Sequence, residues 1–466
     1  MYTDVRTKEL FVYPRGGTCT MMRSLWSGVA GLKTHQLEMD VIGNNIANVN
    51  TTSYKSQATG FQDILYQTVK SGTGAGENVG STNIAQVGLG SKVGSIYTNI
   101  AAQGSAVTTD NVLDLMITGD SFFIISPDIS GAEMNFTRDG SFAIDANGDL
   151  VTKGNGYYVL GVMGEAAIGN AVQKLHVINR TPVTGPDGET RMVDVMPGQA
   201  TSQSYFKGNI DELDESLEEG KALSIEVYGS DGEKYTLKFS LTDGGDTENN
   251  TYTLKLNEVV NEDGDSVMNP TDDVKVDLVY SKSDGKLVSA NGNTAGTYTL
   301  NLTGDASVVN GLNIDFIHTT NYAGNSASHS SSIYGYRGDT KGLNQGYPNG
   351  ELTNISFGTD GSIYGRYSNG QTLKKGQIAV AEFSNAMGLE KVGDNLYAAS
   401  LNSGVAQIMD ITKDGGYMNS GVLEGSNIDL AKEFTDMITT QRGFQANSKV
   451  ITTSDEMLQI LRGLKQ

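Results

Sequence analysis

The stretch SNIDLAKEFTDMITTQRGFQANSKVITTSDEMLQILRGL, residues 426–464, decides how the rest of the chain is read. Leu430, Met437, Phe444, Ile451 and Leu458 recur every seven residues, a spacing that drifts little around a helix and marks a seam for a partner helix. Ser426 stands where an N-cap is expected and Asp429 follows three residues later in the capping-box position. A helix over 427–464 would run about 55 Å at 1.5 Å per residue. The stripe is narrow, interrupted by Gln441, Ser448 and Asp455, so it is too thin to be the centre of a domain.

A second stripe lies at the other end. Leu25, Leu32, Met39 and Ile46 share the seven-residue period, with Val29, Ile42 and Val49 filling the same face. The pattern allows two helices folded separately onto one core, or a coiled coil between the chain's own ends that also offers surface to other copies; the narrow stripes favour the second. Where this first helix fades, residues 43–55 read GNNIANVNTTSYK. Asn48 and Asn50 straddle the exit, where amides satisfy end carbonyls and tolerate left-handed backbone. Asn44, Asn45 and Lys55 need another reason, and hydrogen bonding to adjacent subunits is the expectation, making these five residues a candidate assembly joint.

Between the ends the chain reads as β-hairpins. FTRDGSFAIDANGDLVT alternates apolar and polar residues around Asp139-Gly140 and Asn147-Gly148, and ISFGTDGSIYGRYSNGQ repeats the pattern with Asp360-Gly361 and Asn369-Gly370. KYTLKFSL, TYTLKLNE and TYTLNLTG are three similar alternating strands near Tyr235, Tyr252 and Tyr298. Residues 71–94, rich in glycine and small polar side chains, are expected to be a linker arm.

Length suggests about three domains of ordinary size. With 58 glycines, 7 prolines and 38% hydrophobic residues, the chain is globular and rich in turns. The net charge of -21 excludes a nucleic-acid partner, which needs clustered Lys and Arg. From Asp211 to Asp265 there are 16 acidic against 4 basic residues, a solvated central segment. Cys19 is the only cysteine, so no intrachain disulfide forms. No apolar run is long enough to span a membrane, and residues 1–20 lack the apolar core of a secretory signal.

No chemistry of an enzyme stands out. His35, His176, His318 and His329 are far apart, with no Cys or carboxylate at metal-ligand spacing. GTGAGENVG lacks the strand and helix that frame a phosphate loop. DGGDTENN and NEDGDSVMNPTDD do not place oxygens at the positions of a calcium loop, and no nucleophile elbow occurs. Catalytic, cofactor-binding and metal residues are therefore expected to be none.

The ends carry a specific resemblance. SGVAGL (27–32), NNIANVNTTSYK (44–55) and FQDILYQT (61–68), with GVLEGSNIDLAKEFTDMITTQRGFQANSKVITTSDEMLQ (421–459), resemble the terminal signatures of the bacterial flagellar rod and hook axial proteins, in the hook form. GDSFFIIS (119–126), FTRDGSFAIDANGDLVTKGNGYYVLG (136–161) and GQIAVAEFSNAMGLEKVGDNLYAASLNSG (376–404) resemble that family's middle domain. The resemblance implies a mainly β protein with helical termini paired as a coiled coil, a split β middle domain and an inserted outer β domain.

On it the chain divides into an extension outside the family pattern (1–21), an N-terminal helical inner domain (22–70), the linker arm (71–94), the two parts of the middle domain (95–163 and 347–420), the insert (164–346) and a C-terminal helical inner domain (421–466). It implies a structural subunit of the flagellar hook, forming a flexible curved tube that carries torque from rod to filament. The implied partners are further copies, the hook cap protein, the distal rod protein, the hook–filament junction protein and the flagellar type III export apparatus, with export proceeding without a cleaved signal. A distal rod protein shares the terminal motifs and is the alternative, and a secreted β-rich adhesin a more distant one.

Overall fold

The computed structural model describes residues 18–74, 80–169, 171–184, 189–245, 250–267, 273–323 and 329–464, with α1 side chains described from residue 23. The proposed extension lies almost wholly outside the described residues, and so does the Cys19 side chain. The chain divides into two compact units, the first formed by 1–177, 357–363 and 375–466, the second by 178–356 and 364–374. The expected insert began at 164. Residues 173–177 instead stay with the first unit, because Gln173 and Lys174 pair with Gly161 and Leu160, and Leu175 and Val177 are buried there.

In the first unit two long helices, α1 (Thr18–Ala47) and α2 (Leu430–Gly463), pack against each other. The cap of α2 differs from the expectation. Asp429, not Ser426, is the N-cap, its carboxylate accepting from the Ala431 and Lys432 amides at 2.9 and 3.3 Å. An ionised carboxylate also suits the positive end of the helix dipole better than a hydroxyl does. Asn427, expected inside the helix, sits ahead of it and holds three backbone groups described below.

The expected linker carries strand at residues 85–88 and 91–94. β1 (Gln57–Asp63) pairs antiparallel with β4 (Ser91–Thr98), and β2 (Tyr66–Lys70) with β3 (Ala85–Gly88). The linker's glycines divide: a Cβ on Gly74 or Gly80 would have nothing within 4 Å, whereas Gly90 and Gly94 serve close approach. Gly90, at φ +111°, lies so near α1 that a Cβ would stand 2.9 Å from Ala30 Cβ.

The sheet of the first unit is split in sequence. Phe122–Ser126 lies at its centre, with Asn135–Thr137 on one side and Tyr158–Met163 and Val380–Glu382 on the other, all antiparallel. Leu115–Thr118 pairs with Tyr417–Ser420, and Ala106–Thr108 with Val422–Glu424. Late strands thus complete a sheet that early strands begin. Phe122, Ile124, Phe136, Leu160, Phe383 and Tyr397 form its core, with Phe136 and Phe383 edge to face at 4.8 Å. Asn147-Gly148 turns a hairpin, with Gly148 at φ 92°. Asp139-Gly140 does not: Phe136 and Thr137 pair with a different strand from Phe142–Ile144, and Gly140 is required because a Cβ would run into the Leu115 carbonyl.

The second unit contains a five-stranded antiparallel meander, Lys221–Tyr228, Lys234–Asp243, Asn250–Val260, Lys275–Tyr280 and Leu287–Ala290. Alternate side chains point inward, as the polar–apolar alternation of KALSIEVY and KYTLKFSL requires. TYTLNLTG, the third member of the similar trio, forms only Thr297–Thr299 and joins another sheet, around Gln203–Ile210. Phe206 and Phe316 stack at 5.3 Å in the shared core.

Candidate assembly site

The helix pair is antiparallel and its register can be read from four contacts. Ser24 Oγ lies 3.2 Å from Ser454 Oγ, a Cβ on Gly31 would stand 2.6 Å from Asn447 Nδ2, one on Gly443 2.7 Å from His35 Nε2, and Asn45 Nδ2 donates to Glu433 Oε1 at 3.1 Å. Buried positions that are small or polar are Gly28, Gly31, Thr34 and Asn45 on α1 and Glu433, Thr440 and Ser454 on α2, with Val41 and Ile42 the buried apolar residues of α1. On α2 these follow a second seven-residue series, Glu433, Thr440, Asn447 and Ser454. Small side chains let the two backbones approach closely, and the seam is a polar stripe beside an apolar one.

The predicted apolar stripe flanks this polar one. Leu25, Leu32, Met39, Ile46, Met437, Phe444 and Ile451 are half-buried, while Leu430 and Leu458 are exposed. Sequence reasoning passed over the polar series because it searched for hydrophobic periodicity; the seven-residue spacing of Glu433, Thr440, Asn447 and Ser454 was the available signal.

The asparagine cluster forms a joint where α1, the split sheet and the approach to α2 converge. Asn45 is buried and uses its whole amide: Nδ2 donates to the Gln57 carbonyl at 2.8 Å and to Glu433, and Oδ1 accepts from the Gln57 amide at 3.0 Å and from Tyr54 Oη at 3.3 Å. Asn44 Nδ2 donates to Tyr54 Oη at 3.1 Å, and Asn48 Nδ2 closes the helix on the Asn44 carbonyl at 2.9 Å. These partners all lie in the same chain; contacts with a neighbouring subunit, which the sequence led us to expect, would be additional to them. A folded-back exit leaves several backbone groups without helical partners, and the amides are near enough to satisfy them. Asn50 is exposed.

Lys55 is the centre of the joint. Its Nζ donates to Glu424 Oε1 at 2.6 Å and to the Ala102 carbonyl at 2.8 Å, with both charged side chains 1% exposed. Glu424 Oε1 also accepts from the Gly104 amide at 2.8 Å, and the Glu424 carbonyl from the Ser53 amide at 2.8 Å. Asn427 accepts from the Ser56 amide at 2.7 Å and donates to the Asn99 and Ala102 carbonyls. Lys391 Nζ donates to the Lys55 carbonyl at 3.1 Å and lies over the Tyr54 ring. Arg138, also buried, rests over the Phe122 ring at 4.8 Å.

Burial pushes the Lys55 ammonium below the usual lysine range, and neighbouring Glu424 partly restores it. Burial pushes the Glu433 carboxyl up, against the Asn45 hydrogen bond. Glu424, Glu433 and Arg138 were not singled out in the sequence; Glu424 is a lone charge ending a strand, while Glu433 beside Lys432 and Arg138 beside Asp139 read as ordinary surface charge.

Among the described residues no group of three or more His, Cys, Asp or Glu could hold a metal, and no helix is long and apolar enough to cross a membrane. His35 bonds to Glu38 and His176 and His329 to Asp149 and Asp211, so these three imidazoles have structural partners.

Three family models match the chain: flagella basal body rod protein at residues 25–55, flagellar hook protein FlgE/F/G D1 domain at 116–188, and flagellar basal body rod FlgEFG protein C-terminal at 419–464. The flagellar hook protein FlgE of Treponema pallidum is 34% identical over 96% of this chain and 100% of its own length. That of Borreliella burgdorferi is 36% identical over the same shares. The flagellar basal-body rod protein FlgG of Bacillus subtilis is 29% identical over 96% of this chain and 100% of its own. Paired helical ends on a split β sheet are thus those of a flagellar axial protein, and the chain belongs to the family of flagellar hook and rod proteins. Within that family it is a structural subunit of the hook.

Proposed function

We propose that copies of this chain polymerise through their terminal segments, 22–70 and 421–466, into a flexible curved tube outside the cell that carries torque from rod to filament. The observation that supports this is the apolar surface left on those segments. Trp26, Phe434, Ile438, Ile460 and Leu464 at the helices, and Leu65, Tyr66 and Val69 on the ribbons, are each at least half exposed. Exposed apolar surface of this extent marks an interaction surface, and a two-stranded ribbon in water is marginal by itself.

The seam for neighbouring copies comprises Leu25, Leu32, Met39, Ile46, Leu430, Met437, Phe444, Ile451 and Leu458, whose side chains keep solvent-facing area in the single chain. The hook cap, the distal rod protein, the hook–filament junction protein and the flagellar type III export apparatus are the further partners this role requires, with export proceeding without a cleaved signal.

Electron microscopy of basal bodies from a strain lacking the gene tests the reading. We expect a complete rod without a hook. A truncated rod would favour the distal rod alternative, and normal hooks on a motile cell would sink both.

A further inference from the structure

We propose that the groove between α1 and β4 receives the last two turns of α2 from a second copy of this chain; the inference rests on the polymerisation proposed above and identifies one contact within it. The groove holds about 380 Å³ and is walled by Trp26, Val29, Leu37, Ile64 and Val93, with exposed Lys33 and Lys92 on its rim. Its floor is well defined. Gly90 brings β4 within 3.2 Å of Ser27 Cα, measured from the Cβ it lacks, and Thr34 Oγ1 lies 3.4 Å from Ser91 Oγ. Trp26 is 68% exposed above it, a large aromatic surface that water covers poorly.

The complementary surface is at the other end of the chain. Met457, Ile460, Leu461 and Leu464 are all exposed and follow i, i+3, i+4, i+7, the spacing by which a helix lays one face into an apolar groove. Glu456 stands at the flank of this face and supplies the negative charge that Lys33 or Lys92 would meet, while Asp455, bonded to Gln459, and Arg462 lie on the opposite side of the helix.

The chain's own α2 does not fill the groove. Ser454 lies beside Ser24, so the antiparallel turns after it lead towards the start of α1, whereas the groove extends the other way, from Trp26 to Leu37. It also lies on the Val29–Lys33 side of α1, not on the Gly28–Gly31 side that faces α2. Groove and helix end are different surfaces, so the contact is heterologous and each copy offers both halves, the condition for open-ended growth.

Trp26 is the only tryptophan, so its fluorescence reports on the groove directly. In the full-length chain we expect emission to shift to the blue as monomer assembles. To identify the covering element, an Ile460→Asp/Leu461→Asp chain, which keeps Trp26, is mixed with excess Trp26→Phe chain bearing an intact α2. The blue shift is expected there, and is expected to be absent when the excess chain also carries Ile460→Asp/Leu461→Asp. Far-UV circular dichroism of each monomer establishes that the variants fold.

As a second arm, Lys33→Glu/Lys92→Glu should raise the concentration needed for assembly several-fold, and adding Glu456→Lys to the same chain should lower it again. Tubes that form with Trp26 emission unchanged overturn the groove contact while leaving polymerisation standing. Emission already blue in dilute monomer also overturns it, by assigning the cover to the chain itself. Failure of the unaltered chain to polymerise would instead bring down the underlying reading.

Discussion

Lys55 and Glu424 meet across 369 residues with their charged atoms 2.6 Å apart and both side chains buried. Such a pair does little for net stability compared with apolar residues, but removing one partner strands a charge, at about 3–5 kcal/mol. Lys55→Met should therefore lower the stability of the purified subunit by about that much in urea unfolding. Adding Glu424→Leu should recover only part, because Arg138 would then lose its largest electrostatic partner. An unchanged midpoint for the single variant would show that the pair is open to solvent. Glu433 gives a pH signature. Its carboxyl is raised above the ordinary 4.5 in the folded chain, so protonation favours folding. That contribution is fully present below the ordinary value and is lost as pH rises through the raised one. Thermal unfolding followed across that window should show the decline in the unaltered chain and a flatter response in Glu433→Gln.

At the scale of elements, the two helices pair by virtue of what is missing from α1. Gly31 faces Asn447 so closely that a Cβ would stand 2.6 Å from its amide nitrogen, whereas Gly43 has nothing within 4 Å. Gly43→Ala should stabilise α1 by about 0.8–1.0 kcal/mol, the helix propensity difference alone. Gly31→Leu gains the same kind of propensity yet should separate the helices, losing helical signal at lower temperature. If both variants melted above the unaltered chain, close packing at Gly31 would be refuted. The periodicity that revealed these helices says which residues share a face and includes buried Ile42, but α1 also pairs through glycines and asparagine, types that hydrophobic pattern does not detect. Within the arm, glycine in sequence marks either freedom or close contact, and at Gly90 only β4 resting on α1 decides between them.

At the scale of the molecule, a subunit whose ends expose apolar side chains is incomplete until other copies cover them. Each Leu, Ile, Met or Phe side chain so covered is worth about 1.5–3 kcal/mol, enough for a few contacts per copy to drive assembly. Phe444→Asp puts a charge on the half-buried seam without touching either sheet. Tubes should be absent by electron microscopy while the β signal in circular dichroism persists; normal tubes would place the seam elsewhere. The assembly joint belongs to this scale too. Asn44, Asn45 and Asn48 were legible as an anomaly of composition, but their partners were not, because an amide bonds equally well to its own chain or to another.

The sequence by itself determined the terminal helices, the strand-rich middle and the family, because periodicity and long motifs are local properties that survive without coordinates. The tertiary structure alone decided that Asn45 reaches Glu433 across the helix seam, that Lys55 finds Glu424, and that Gly90 rests against α1. Each of these depends on which distant segments come within hydrogen-bonding or van der Waals distance, and no spacing along the chain encodes that.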